Sequence, residues 1–370
     1  MRTRSTWGVF LLVCILAGSY LRFVGLTRGI SDFVVPARAI SADQAFYHFH
    51  PDEALLIEGA LALDSPLDPP LTSYGMLPLY MLRGLAEACD RLLGWEVTNV
   101  ASTESTYRVV LLARILAATF SCLSMGLVYL LARRCFGIPA ACLATLLMST
   151  APLAVQQAHY YTVDGLFLLL VLFFFHFLFH ALESGRVPWY ALVGAAVGMI
   201  GAVRLNGLVL GLIVLAGHCL WTDPSNCHSR WVRAVRRLLS PHVWVSGAAA
   251  LAVLVILAPY LVADSERVFV PRPAHNFALA LQIAKGDMLT LWNLVDVHTT
   301  PYWHHWTSLL PTSVGWPLAL ASAAGLIFVL RRPERSSALM LMWCGAHFLL
   351  VGGLQTKHVR YLLPLLPFFC

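Results

Sequence analysis

The chain has 370 residues, of which 59% are hydrophobic and only 12% are charged, and its mean hydropathy is +0.72. Soluble domains carry about 25% charged residues, so this composition excludes a soluble enzyme or binding domain. The formal net charge of +6 comes from short arginine clusters between apolar runs, which gives no reason to expect nucleic acid as a partner.

Apolar runs of membrane-spanning length predict an all-α, multi-pass integral membrane protein with about ten spans in a single domain, residues 1–370. The first run is longer than a signal-peptide core and favours a signal anchor, although ARAISA near Arg38 loosely matches a cleavage site. The last run stops partway at Cys370, so we expect the chain to be incomplete at that end. The predicted spans are 7–26, 107–131, 138–157, 163–182, 188–203, 205–221, 243–262, 312–330, 336–354 and one from about 361.

Arginine clusters fall in every second connection between these spans. The positive-inside rule places such connections in the cytoplasm and the others on the outer face. The outer face then receives a first loop of about 27–106 and a long loop of about 263–311. We expect a bacterial inner membrane, with the polar motifs facing the periplasm. The clustered arginines are Arg2, Arg4, Arg133, Arg134, Arg186, Arg230, Arg233, Arg236, Arg237, Arg331, Arg332 and Arg335.

The first outer loop carries two adjacent acids, Asp52 and Glu53, directly after Pro51. Proline followed by acids is typical of a helix N-terminus, whose partial positive charge helps to keep a carboxylate ionised. An ionised carboxylate at the edge of the bilayer can take a proton from a substrate hydroxyl or amine. The alternative is that these residues only begin an amphipathic helix; the segments Glu53–Leu63 and Met76–Leu93 both have the pattern of helices lying in the interface.

The remaining outer connections supply further acids and several cations. Acids early in the chain and cations later suit a substrate with a nucleophilic group and an anionic leaving group, because arginine and lysine hold phosphate well. The candidate substrate-binding residues are His159, Tyr161, Asp164, Arg204, Asn206, Lys357 and Arg360.

Each candidate has a structural alternative. Asp164 could cap the following helix, Arg204 could extend to lipid headgroups, and Lys357 with Arg360 could be flanking charges. Arg114, inside the second span, could extend outward or pair with an acid of the first loop. The histidines of DVHTTPYWHHW are interpreted as interfacial aromatics, with a metal site as the alternative: His298, His304 and His305.

Five segments in chain order carry a resemblance to a known family. They are HPDE, ARILAATFSCLSMGLVYLLARRCFG, HYYTVDGLFLLL, GAVRLNGLVLG and KHVRYLLPLLP. Together they resemble the GT-C superfamily of polyprenyl-phosphate-sugar-dependent glycosyltransferases, close to the protein O-mannosyltransferase and aminoarabinose-transferase branch. The resemblance implies a multi-pass GT-C helical bundle, an active site on the non-cytoplasmic face and a lipid-phosphate sugar as donor.

The resemblance also implies roles for individual residues. Asp52 matches the catalytic acid of the family, with Glu53 as its neighbour, and would act as general base in an inverting transfer. Arg204, Lys357 and Arg360 would hold the lipid phosphate, and Asp164 would orient the acceptor or help to hold a divalent cation, if one is used. The implied partners are the polyprenyl-phosphate sugar, a lipid, glycan or protein acceptor, and membrane lipids.

Two positions depart from the motifs of related families, and one other functional class remains as an alternative. Asp68 precedes the paired prolines where aminoarabinose transferases carry a basic residue, and the WWD motif of oligosaccharyltransferases is absent from the sequence. The rival is a transporter or lipid flippase, for which His176 and His180 could form an ion relay. The span centres are otherwise nearly free of acids, which favours the enzyme.

Overall fold

The computed structural model describes residues 2–29, 48–99, 103–221, 237–271, 276–291, 293–331 and 334–370. The described chain is built from helices joined by short connections. In order they are α1 Arg2–Phe23, α2 Pro51–Leu61, α3 Leu77–Leu93, α4 Thr103–Phe136, α5 Ile138–Thr150, α6 Pro152–Gln157, α7 Val163–Ser184, α8 Val187–Gly201, α9 Leu210–Trp221, α10 Pro241–Leu257, α11 Tyr260–Ala263, α12 Ser265–Phe269, α13 Phe277–Lys285, α14 Leu310–Val314, α15 Trp316–Arg331, α16 Arg335–Gly352 and α17 Leu366–Phe369.

Each predicted span corresponds to a helix or to a helix with a break. In the described residues three helices are long and apolar enough to cross a membrane, Thr6–Phe23, Glu104–Phe136 and Val163–Ser184. A fourth is formed if His305–Val314 and Trp316–Arg331, bent by 117°, count as one span. Several other runs form shorter apolar helices, interrupted by proline, by glycine or by 3-10 turns such as Leu205–Val209 and Val359–Leu365. Several of the predicted spans are therefore built from helices with a break.

The break between α5 and α6 is stabilised by an arginine from α1. Pro152 has no N–H, so the carbonyl of Met148, four residues earlier, has no intrahelical donor. Arg22 donates to that carbonyl at 2.8 Å and to the carbonyl of Ser149 at 3.0 Å, while its Nε donates to Ser121 Oγ at 2.8 Å. Arg22 is fully buried. The segment ARAISA, the loose match to a cleavage site, lies outside the described residues.

Helices α8 and α10 pack closely because α8 presents glycine at the contact. A Cβ atom at Gly194 would lie 2.0 Å from the carbonyl oxygen of Ser246, and one at Gly198 would lie 2.5 Å from that of Ala250. Residues four apart share one face of a helix, and small residues on that face let two backbones approach in a membrane.

The two helices of the first outer loop differ from each other. Helix α3 is amphipathic, as predicted. Helix α2 packs against α3 and α4, and Glu53 on its buried side pairs with an arginine of α4. The buried residues of α2 are Glu53, Leu56, Ile57, Gly59 and Ala60.

The segment between α2 and α3 is tied to the end of α8. Backbone hydrogen bonds join Gly75 N to Val203 O at 3.0 Å and Leu77 N to Ala202 O at 3.1 Å. A Cβ atom at Gly75 would lie 2.0 Å from the Ala202 oxygen, so only glycine permits this approach. The first loop thus lies directly beside the residues that follow α8.

Candidate active site

Helix α2 begins at the residues that place Asp52. His50 is extended (φ −130, ψ 125), Pro51 occupies the first turn, and the His50 ring nitrogen Nδ1 accepts a hydrogen bond from the backbone N–H of Asp52 at 3.2 Å. The cap fixes the start of the helix and turns the Asp52 side chain toward the last segment of the chain.

The Asp52 carboxylate is held by two donors from distant parts of the sequence. Tyr74 donates its hydroxyl to Oδ2 at 2.7 Å, and Arg360 Nη1 donates to the same oxygen. The side chains of Asp52 and Arg360 are 14% and 10% exposed. Burial on its own raises the pKa of Asp52, but the charge of Arg360 and the Tyr74 hydrogen bond outweigh it, so the pKa lies below its ordinary value. Asp52 is therefore an anion at neutral pH.

Aromatic rings connect this carboxylate to a second ion pair. The guanidinium carbon of Arg360 lies 5.8 Å from the centroid of the Tyr361 ring, and that of Arg204 lies 5.7 Å from the same centroid. Arg204 also lies 5.5 Å from the centroid of the Tyr74 ring. Cations at these distances are attracted by the ring face. The two rings thus join Asp52 and Arg360 to Arg204 in one continuous cluster.

The second ion pair joins Asp164 of α7 to Arg204, which follows α8. Nη2 of Arg204 lies 2.8 Å from Oδ1 of Asp164, and the side chains are 14% and 1% exposed. The contact lacks hydrogen-bond geometry: both Asp164 oxygens, together with Nε and Nη2 of Arg204, have no hydrogen-bond partner among the described residues. Asp164 therefore does not cap α7, and Arg204 does not extend to lipid. Asn206 Oδ1 is also buried and accepts no hydrogen bond from the described residues.

Glu53 has a different environment from its neighbour Asp52. Arg114 of α4 forms a bidentate pair with it, from Nε to Oε1 and from Nη2 to Oε2, both at 2.8 Å. His48 Nδ1 lies 3.1 Å from Oε2, and the backbone N–H of Tyr161 lies 3.4 Å from Oε1. Burial raises the pKa of Glu53, but the hydrogen bonds from Arg114 and His48 lower it further than burial raises it. Of the two alternatives for Arg114, pairing with a first-loop acid is confirmed.

Two of the candidate residues hold loops together rather than face Asp52. His159 has Nδ1 at 2.8 Å from Val155 O and Nε2 at 2.9 Å from Val24 O, which ties the segment before α7 to the end of α1. Tyr161 is 1% exposed and donates its hydroxyl to Pro78 O at 2.6 Å. Both residues position the chain around Glu53.

Lys357 lies in an adjacent polar cluster. Its backbone N–H donates to Asp296 Oδ2 at 2.8 Å, and its ammonium donates to Gln355 O at 3.0 Å. Lys357 is 4% exposed, so it is not a flanking surface charge. Burial lowers the pKa of Lys357, and Asp296 opposes the shift. His358 stands between the two clusters, and burial together with the charge of Arg360 lowers its pKa to about 4, so its ring is neutral.

The interpretation of the long-loop histidines as interfacial aromatics is wrong for His305. It begins a π-helical turn, His305–Leu309, and its side chain is buried. The residue is 1% exposed, and neither ring nitrogen has a hydrogen-bond partner among the described residues. His298 is exposed and His304 is half-buried. Within the described ranges no group of three or more His, Cys, Asp or Glu residues is placed to hold a metal ion.

Four cluster residues had no role assigned from the sequence, although the last two lie in the polar segment TKHVRY: His50, Tyr74, His358 and Tyr361. His50 and Tyr361 lie inside segments that carried the resemblance, next to Pro51 and Arg360, which is the signal that could have found them. Tyr74 has no such signal, because its place depends on the contact of Gly75 with the end of α8. Asp68, which stands where a basic residue was expected, forms an ion pair with Arg267 of the long loop.

Comparison with known proteins yields one family and several structures of similar fold. Residues 104–263 match the family model described as Dolichyl-phosphate-mannose-protein mannosyltransferase. ArnT from Cupriavidus metallidurans bound to undecaprenyl phosphate has a TM-score of 0.64 at 18% identity, covering 98% of this chain and 58% of that chain. No curated protein sequence matches the chain.

Two structures from Archaeoglobus fulgidus share the fold. The apo oligosaccharyltransferase has a TM-score of 0.57 at 15% identity, covering 98% of this chain and 49% of that chain. AglB in complex with an inhibitory peptide and a dolichol-phosphate has a TM-score of 0.53 at 15% identity, covering 99% and 50%. The chain thus spans about half the length of these proteins. The comparisons confirm the helical membrane fold predicted from the sequence, and the family match over residues 104–263 agrees with the mannosyltransferase part of the resemblance.

Proposed function

We propose that this chain, which has the GT-C fold and a mannosyltransferase-type sequence block, is a membrane glycosyltransferase that moves one sugar from a polyprenyl-phosphate donor to an acceptor. The observation that carries the proposal is the Asp52 carboxylate, which is kept ionised by Arg360 and Tyr74 and is still partly exposed. A structural neighbour solved with undecaprenyl phosphate and another solved with a dolichol-phosphate support a lipid phosphate as carrier.

In the proposed reaction the acceptor oxygen or nitrogen forms a bond to the anomeric carbon of the sugar. The bond from that carbon to the phosphate oxygen breaks, and its electron pair leaves with the phosphate. Asp52 takes the acceptor proton, so it acts as general base, and attack opposite to the leaving group inverts the anomeric centre. The acceptor can be a lipid, a glycan or a protein hydroxyl.

The pair of Asp52 with Arg360 would regulate the strength of this base. A carboxylate with a lowered pKa is a weak base while the guanidinium remains on it. The donor phosphate would compete for Arg360, since arginine binds phosphate in the same forked geometry as a carboxylate. Movement of Arg360 onto the phosphate would raise the pKa of Asp52 only when the donor is in place.

The three candidate cations, Arg204, Lys357 and Arg360, differ in whether a carboxylate already contacts them. Arg204 and Arg360 each contact a carboxylate, whereas the ammonium of Lys357 donates to a neutral carbonyl, that of Gln355. A buried ammonium without a carboxylate on its nitrogen gains most from a bound phosphate. On this ground we assign Lys357 to the phosphate, and we assign Arg360 to it because the phosphate would compete with Asp52 for the guanidinium. Glu53 acts through the Arg114 pair as a positioning residue for Asp52.

The positive-inside pattern supports a site on the non-cytoplasmic face of a bacterial inner membrane. Asp52, Asp164 and Arg360 lie at one end of the bundle, joined by Tyr361 and Arg204, whereas Arg134 pairs with Glu183 at the other end of α7. The rings of His176 and His180 are 4.8 Å apart, and His180 stacks on Trp189 near that second end. Because these histidines lie far along α7 from Asp164, they add nothing to the transporter alternative.

The proposal is tested by sugar transfer in liposomes from a panel of radiolabelled polyprenyl-phosphate sugars, comparing wild type with Asp52→Asn. The substitution keeps size and hydrogen bonding but removes the base, so we expect turnover to fall about 100-fold or more while donor binding is retained. Glu58→Gln, an exposed acid on the same helix, is the matched control and should keep full activity. Full activity of Asp52→Asn would contradict the assigned role.

A further inference from the structure

The buried polar atoms around Asp164 and Arg204 are the least satisfied group near the proposed catalytic centre. Both Asp164 oxygens, two nitrogens of Arg204 and Oδ1 of Asn206 are buried without a hydrogen-bond partner among the described residues. Asp164 is 1% exposed. Native proteins satisfy most buried polar atoms, because leaving one unpaired is costly. Asp164 Oδ1 and Arg204 Nη2 are 2.8 Å apart in the ion pair, and the bonding capacity left on both residues, with that of Asn206 two residues after Arg204, points to a polar ligand as the missing partner.

These atoms lie next to the position where the transfer would occur. Arg204 packs over the ring of Tyr74, at 5.5 Å, and the hydroxyl of Tyr74 bonds Asp52 at 2.7 Å. Arg204 also approaches the Tyr361 ring, which Arg360 contacts as well. The side chain of Tyr74 therefore contacts both Arg204 and Asp52, which places the Asp164–Arg204 pair next to the proposed base.

The chemistry of the atoms limits the ligand class. Asp164 and Asn206 Oδ1 can only accept hydrogen bonds, whereas the Arg204 nitrogens can only donate them. A phosphate or carboxylate would satisfy Arg204 but be repelled by Asp164, and an ammonium group would do the reverse. A hydroxyl group donates and accepts at once, so adjacent hydroxyl groups can bond a carboxylate and a guanidinium together.

We propose that Asp164, Arg204 and Asn206 form a subsite that binds ring hydroxyl groups of the sugar being transferred. The inference rests on the proposed glycosyltransferase function and deepens it. It names the donor sugar as an uncharged sugar with at least two adjacent free hydroxyl groups, in preference to a uronic acid or an amino sugar. Asp164 and Arg204 are then specificity-determining residues, separate from the Asp52 base.

The test is a thermodynamic cycle in which one change is made in the protein and the other in the donor sugar. Transfer is measured with the preferred polyprenyl-phosphate sugar and with its series of monodeoxy analogues, using wild type and Asp164→Asn. Hydrogen bonds to charged groups are strong, so loss of the hydroxyl that Asp164 accepts from should lower wild-type kcat/KM roughly 10- to 100-fold. Asp164→Asn should show much of that loss with the full sugar and little further loss with the deoxy sugar.

The matched control is Glu183→Gln, which alters the ion pair with Arg134 at the other end of the same helix and should keep the wild-type response to every analogue. Asn206→Ala provides a milder variant at a half-buried position if Asp164→Asn folds poorly, which thermal unfolding in detergent reports. Equal, additive losses for protein and sugar changes would overturn the subsite while leaving the transfer reaction intact. Absence of transfer from every donor by wild type would instead overturn the proposed function, and the subsite with it.

Discussion

Among the described residues, the buried carboxylate–guanidinium pairs Glu53–Arg114 and Asp164–Arg204 are built differently. Glu53 and Arg114 form two 2.8 Å hydrogen bonds, and Arg114 also donates to the carbonyls of Leu26 and Arg28. Asp164 and Arg204 approach to 2.8 Å, yet the carboxylate has no hydrogen bond among the described residues. The first pair is complete within the protein, whereas the second has bonding capacity left over.

Whether the hydrogen bonds of a buried ion pair are complete distinguishes a pair that stabilises the fold from a pair that can bind a ligand. A buried ion pair offsets its desolvation only when its remaining lone pairs and protons are also bonded, as for Glu53. The pair of Asp164 and Arg204 retains that desolvation cost in the free protein and recovers it when a ligand completes the hydrogen bonds. Asp52 and Glu53, which are adjacent in sequence, differ in the same way: Asp52 is the proposed base, whereas Glu53 stabilises the structure through its ion pair.

The largest expected effect follows from breaking the complete pair. Arg114→Leu leaves Glu53 buried without its partner, which should lower the free energy of unfolding by roughly 3–5 kcal/mol. Thermal and denaturant unfolding in detergent would measure the loss. The double variant Glu53→Leu with Arg114→Leu should recover much of it, because both charges are then gone. A single variant as stable as wild type would show that the pair does not organise the first loop.

The incomplete pair should respond in the opposite direction. Replacing both members, as Asp164→Asn with Arg204→Gln, removes two buried charges that lack hydrogen bonds. We expect the free energy of unfolding to rise by about 1 kcal/mol while sugar transfer is lost, which is the usual exchange between stability and activity at a functional site. The same unfolding measurement and the transfer assay check this; a loss of stability as large as that of Arg114→Leu would place both pairs in one structural class.

The pH dependence of transfer should show that the pKa of Asp52 is lower than that of an ordinary carboxylate. Its pKa lies below the ordinary 3.8 through Arg360 and Tyr74, so the reactive anion persists above that lowered pKa and is lost only as the pH falls through it. Tyr74→Phe removes one stabilising hydrogen bond and should shift the acidic limb of kcat/KM to higher pH by a fraction of a unit to about one unit. The pH profile of transfer by both proteins measures the shift. An unchanged limb would mean that the Tyr74 hydroxyl does not act on Asp52.

The smallest effect is expected at the opposite end of α7. Glu183 is 53% exposed and pairs with Arg134, so Glu183→Gln should change the free energy of unfolding by less than about 1 kcal/mol. Unfolding measured beside the Arg114→Leu variant gives the comparison. A loss comparable to that of Arg114→Leu would show that exposure does not distinguish the ion pairs of this protein.

The sequence predicted the parts of the site that depend on local pattern. Pro51 followed by acids marked the start of α2, and the alternation of arginine clusters grouped Asp52, Asp164 and Arg360 at one end. The partners of these residues depend on long-range contacts and were not predictable. Tyr74 reaches Asp52 only because Gly75 lies against the end of α8, and nothing near residue 74 signals that approach.

One further difference has the same physical origin. The aromatic residues around His305 suggested the membrane interface, whereas the His305 ring is buried at the start of a π-helical turn. Hydrophobic periodicity does not carry the long-range contacts that bury this one ring.

The contact of Arg22 with the break between α5 and α6 bears on how the protein is made. An arginine inside an isolated apolar helix costs about 2.5–3.5 kcal/mol to insert, and its partners, Met148 and Ser149, are synthesised more than a hundred residues later. The Arg22 guanidinium therefore gains these hydrogen bonds only when α5 packs beside α1, so the packing of α1 and the break after α5 depend on each other.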